Sequence, residues 1–131
     1  MTTEITCDNG HKYLGTAREA ARQIGEKGSL EKCNRCGGNV RYVISHVYSN
    51  TGESSEYVVQ NVYTLLSATE AESQGWDPMI FLMKDSNSSE VLVWTYYWIK
   101  NRNGDWWNGG YPPLLTFDHL KRAMEKFGVQ S

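Results

Sequence analysis

Two kinds of hydrophobic spacing alternate along the chain and divide it into helices and strands. Ala17, Ala20, Ala21 and Ile24 recur at three- and four-residue intervals, which predicts an amphipathic helix. Thr16 and Glu19 fit a capping box at its start, and Gly25 or Gly28 supplies its end. Phe117, Leu120, Met124 and Phe127 form a second helical stripe. Thr116 or Asp118 caps that helix, and Gly128 stands where a C-terminal cap belongs.

Between the helices the pattern changes to strands. Residues 40–48 and 57–66 are rich in β-branched and aromatic side chains, and the polar loop between them contains Gly52. That pair predicts an antiparallel hairpin with a long connection. Thr69 and Glu72 fit a second capping box on a short acidic helical turn, which Asp77-Pro78 is expected to stop. Residues 79–83 form a short apolar strand and residues 91–99 the longest one. Asn103-Gly104 signals a two-residue hairpin returning into Trp106-Trp107. Tyr111-Pro112-Pro113 follows as a rigid extended link.

Along the longest strand, Leu92, Trp94, Tyr96 and Trp98 share one face, and Val91, Val93, Thr95, Tyr97 and Ile99 share the other. One face must meet the core, with the C-terminal helix expected to cover it. Aromatic residues left outside, beside Lys100 and Arg102, would suit a protein interface or a base-stacking platform. Trp98, Lys100, Arg102, Trp106, Trp107 and Tyr111 are the candidate partner-binding residues. For most of the aromatics the alternative is a packed core.

Candidate metal chemistry lies near the N-terminus. Cys7 and His11 flank an Asn-Gly turn, and Cys33 and Cys36 flank a second turn followed by Gly37-Gly38. Zinc takes four sulfur and nitrogen ligands in a tetrahedron, and a Cys-x2-Cys turn sets two thiolates on one side of a bend. The pattern resembles the zinc-ribbon and related zinc-finger domains, over roughly residues 5–45. It departs from them in having Cys-x3-His as the first half and a helix between the halves. The resemblance implies a structural Zn2+ held by Cys7, His11, Cys33 and Cys36. His46 is the alternative fourth ligand, and a redox pair at Cys33 and Cys36 with Cys7 as a free thiol is the alternative chemistry.

Length and charge narrow the class. A chain of 131 residues is one domain that can bury a core. The three cysteines are an odd number, which suits a reduced, cytoplasmic setting. The N-terminal residues lack the pattern of a secretory signal, and no apolar run is long enough for a membrane helix. The expected fold is α+β over residues 1–131. A zinc-binding lobe with one helix occupies 1–46, and an antiparallel sheet of four to five strands with a C-terminal helix occupies 47–131.

Lysine and arginine are outnumbered by acids between residues 47 and 99, where Lys84 is the only base, so a broad phosphate-binding footprint is missing there. The function this favours is a non-catalytic zinc-binding module that recognises a macromolecule, most readily a protein or a second copy of itself. A nucleic-acid reading would rest on Lys12, Arg18, Arg22, Lys27, Lys32, Arg35 and Arg41 together with the aromatic hairpin. A small enzyme with a site near His46 or Asp77 is the third reading. Of the remaining acid–base candidates, Glu56, Asp105 and His119, none falls in a catalytic motif.

Overall fold

A computed structural model describes residues 2–47, 50–109 and 115–128. The chain is α+β. Strands β1 (Thr2–Cys7), β2 (Val40–Val47), β3 (Ser54–Thr64), β4 (Trp76–Asp85), β5 (Val91–Lys100) and β6 (Trp106–Asn108) form one antiparallel sheet in sequential order. Helix α1 (Ala17–Lys27) follows β1, α2 (Ala68–Gln74) follows β3, and α3 (Phe117–Phe127) follows β6.

Among the described residues the sheet has six strands, against the four to five expected. The strand that hydropathy alone does not reveal is β1, whose sequence Thr-Thr-Glu-Ile-Thr-Cys carries one large apolar side chain. β-Branched residues and pairing with β2, from Thr2–Ser45 to Cys7–Val40, make it a strand.

Both long helices start and stop as their caps dictate. The Thr16 hydroxyl accepts from the Glu19 amide at 3.2 Å, and Gly28 closes α1 with its N–H on the Ile24 carbonyl at 2.8 Å. Thr116 caps α3 by accepting from the His119 amide at 3.0 Å. The short helix differs from expectation. Ser67 and Glu70, rather than Thr69 and Glu72, form its capping box. Gly75, at φ 65°, ends it before Asp77-Pro78 is reached. The following strand therefore begins at Trp76 and contains the proline.

The predicted two-residue turn at Asn103-Gly104 is a five-residue loop, because Lys100 pairs with Trp106 and the Asn101 N–H bonds the Asp105 carbonyl at 2.8 Å. The Asn101 side chain holds the loop by accepting from the Asn103 and Asp105 amides, each at 2.9 Å.

The core lies between α1 and one face of the sheet. Ala20, Ala21 and Ile24 meet Tyr42, Ile44, Val59, Val62, Met79, Phe81, Met83 and Trp98. The β5 face bearing Trp94, Tyr96 and Trp98 points inward, as alternation allows, but α1 covers this core in place of the C-terminal helix. In α3, Phe117 and Leu120 are exposed, and the buried residue is Ala123. The Lys126 ammonium donates to the carbonyls of Gly25 and Val62, tying α3 to the end of α1 and to β3.

Candidate metal centre

Strand pairing brings the two cysteine turns together. Cys7 is the last residue of β1 and pairs with Val40, the first of β2. The turn after β1 and the loop before β2 must therefore emerge side by side. The Asp8 N–H bonds the Asn39 carbonyl at 3.0 Å and links them. In the first turn the Cys7 N–H bonds the His11 carbonyl at 2.9 Å, and Gly10 sits at φ 84°, where a side chain would be strained. In the second, Gly37 N–H bonds the Cys33 carbonyl at 2.8 Å and Cys33 N–H bonds the Gly38 carbonyl at 2.9 Å.

These turns aim Cys7, His11, Cys33 and Cys36 at one point, with all their donor atoms within 4.8 Å of one another. Cys7 Sγ lies 3.6 Å from Cys36 Sγ, and His11 Nδ1 lies 3.6 Å from Cys33 Sγ. The thiols are free. A tetrahedron around zinc, with Zn–S of about 2.3 Å and Zn–N of about 2.0 Å, has edges of about 3.8 Å between sulfurs and about 3.5 Å between sulfur and nitrogen. The two separations lie within about 0.2 Å of those edges, so the donor set fits a four-coordinate metal ion. His11 belongs to this group. His46, on β2, does not.

Backbone amides already stabilise negative charge on the sulfurs. Asn9 and His11 N–H groups approach Cys7 Sγ at 3.4 and 3.3 Å. A hydrogen bond from the Asn9 side chain, followed by one from the Gly38 backbone, lowers the Cys36 thiol to about 6. Hydrogen bonding from the Arg35 backbone lowers Cys33, while burial raises Cys7 above an ordinary thiol. Hydrogen bonds to Cys36 and Cys33 raise His11. Asn9 is a supporting residue that the cysteine spacing alone does not single out, although its place inside the first turn is the signal for it.

The other candidates lie elsewhere. Asp77 is fully buried on β4, accepting from Arg18 Nε at 2.9 Å and from Arg22 Nη1 at 2.8 Å. Burial pushes its carboxyl up from the ordinary value, and the two guanidiniums pull against that. Arg18 and Arg22 are thus core residues rather than part of a basic surface. Their i, i+4 spacing beside the apolar stripe of α1 was the available signal. The Arg18 guanidinium also stacks 3.7 Å from the Trp106 ring centre.

Trp98 is buried and packs against Phe81, on the opposite sheet face from the exposed Trp107. Lys100 pairs with Glu72 at 2.6 Å, Arg102 is exposed at the hairpin loop, and Trp107 is exposed. Tyr111 lies outside the described residues, as does the link at 111–113.

No protein-family model, no curated protein and no solved structure matches the chain. The fold and site define its class: an α+β protein with a Cys3His cluster suited to a metal ion. Among the described residues, no helix is long and apolar enough to cross a membrane.

Proposed function

We propose that this chain is a zinc-stabilised, non-catalytic module of the cytoplasm that recognises a protein. Zinc is the metal that best suits three sulfurs and one imidazole nitrogen at tetrahedral spacing. Four protein ligands leave no open position for water or substrate, so the ion serves folding. Asp77, the other candidate centre, has both carboxylate oxygens engaged by arginine.

The observation that carries the recognition reading is an apolar strip on the outer face of the β5–β6 hairpin. Val91, Val93 and Ile99 are 57, 55 and 45% exposed, and Trp107, which pairs directly with Ile99, is 64% exposed. Val91 and Val93 at one end of the strand, and Ile99 with Trp107 at the other, flank the half-buried Thr95 and Tyr97 on one face, the kind of apolar surface that protein interfaces use. The same hairpin is poorly supplied with free positive charge, since Lys100 is paired with Glu72, which weighs against phosphate binding.

The test compares the wild type with Trp107→Ala by sedimentation, for self-association and for any co-purifying protein. The expected result is at least a tenfold weaker association with an unchanged circular dichroism spectrum. Salt-dependent binding to random single-stranded oligonucleotides, with protein association untouched by Trp107→Ala, would favour the nucleic-acid reading and overturn this one.

A further inference from the structure

A cavity of about 310 Å³ opens on the inner face of the sheet, at the seam between its two edge strands. Thr3 of β1 and Asn108 of β6 both line it, although they belong to opposite ends of the strand order. The sheet must therefore curl until its edges face one another. Ala17, the first residue of α1, closes one side.

The walls are mainly aromatic. Tyr42 and the β5 residues Trp94, Tyr96 and Trp98 line the cavity. Trp94 and Tyr96 rings lie 4.5 Å apart, and Tyr96 meets Trp98 edge-on at 4.6 Å. Phe81, fully buried, supports all three at 5.8 to 6.3 Å, so the rings are held from behind. Two phenolic hydroxyls, two indole N–H groups, the Thr3 hydroxyl and the Asn108 amide supply polar edges.

Charge and size select the occupant. Among the described residues, no ammonium, guanidinium or carboxylate lines the cavity. Burial holds both phenols above their ordinary values, which keeps them neutral. An aromatic enclosure is the usual receptor for a quaternary ammonium. Here, however, no carboxylate is present among the described wall residues to balance a cation. The cations beside the Trp106 ring, Arg18 and Lys100, are already paired with Asp77 and Glu72, and the positive end of α1 is at Ala17. A cation is disfavoured, and an anion would find no charged partner in the wall. A dry cavity of about 150 Å³ takes one benzene ring. The volume here is about twice that, and pockets with a few polar groups among aromatic walls are the common form of a ligand site.

We infer that the cavity between β1 and β6 binds a small, neutral, planar aromatic molecule of about two fused rings, its faces on Trp94 and Tyr96 and its edge on the polar rim. This goes beyond protein recognition by the outer face and does not depend on it. The test titrates the 131-residue chain as purified with indole, quinoline and tetramethylammonium, following the indole N–H resonances. The expected result is saturable binding of indole or quinoline that shifts Trp94 and Trp98 and leaves Trp107 unmoved. Ala17→Leu, which fills the rim at a position where leucine suits the helix, should weaken binding at least tenfold, and Thr3→Trp provides a second block from β1. No saturable shift at millimolar ligand, a preference for tetramethylammonium, or binding unaffected by either folded variant would overturn the inference.

Discussion

At the scale of single residues, two arginines and one aspartate bind α1 to the sheet. Asp77 is fully buried, and its oxygens are the acceptors for Arg18 and Arg22. Removing one partner of a buried ionic group strands the others without compensation. Asp77→Ala should therefore destabilise the protein by about 3–5 kcal/mol, measured by urea unfolding. A loss under about 1 kcal/mol would mean that the arginines find other partners. The metal ligands give a second residue-scale prediction. Cys36, at about 6, is already a thiolate at neutral pH, whereas Cys7 is held above an ordinary thiol and His11 above an ordinary imidazole. Metal binding needs all three thiols and the imidazole deprotonated, so it displaces whatever protons these ligands still hold. Affinity should rise with pH from 6 to 8, by about tenfold per unit for each proton released. Competition against a chelator of known pH response checks the sign, and a flat profile would contradict it. The ligands were legible in the chain because each pair sits inside one short turn. The Asp77 ion pairs were not, because their partners lie 59 and 55 positions away and the register that joins them is set by the whole sheet.

At the scale of elements, caps and alternation carried most of the information. Thr16, Gly28, Thr116 and Gly128 act where local chemistry places them, and the inward face of β5 is the one that bears Trp94, Tyr96 and Trp98. Thr16→Ala should cost about 1 kcal/mol, read as a lower thermal midpoint, because the Glu19 amide loses its acceptor. The elements that escaped are those decided by tertiary contact. β1 is a strand because β2 offers it a ladder, and α2 ends at Gly75 because glycine accepts the left-handed turn before the proline can act. The helix over the core is α1, since its Ala20 and Ala21 allow close approach to the sheet, whereas α3 docks through Ala123 and Lys126. Spacing alone gives α3 an apolar stripe without saying how much of it finds a partner.

At the scale of the molecule, a sequential six-stranded sheet curls around one helix, and the Cys3His cluster lies at the end where β1 meets β2. A bound ion would join the turn after β1 to the loop that returns from α1, fixing the register that also positions Thr3 at the cavity rim. Cys33→Ser should lower metal affinity by about two orders of magnitude or more, beyond the range seen when a supporting hydrogen bond is lost. The most direct measurement is X-ray absorption at the zinc edge on freshly purified protein. The expected result is one zinc per chain with three sulfurs and one imidazole nitrogen. Protein free of metal, or an ion with oxygen ligands in place of these side chains, would contradict the account.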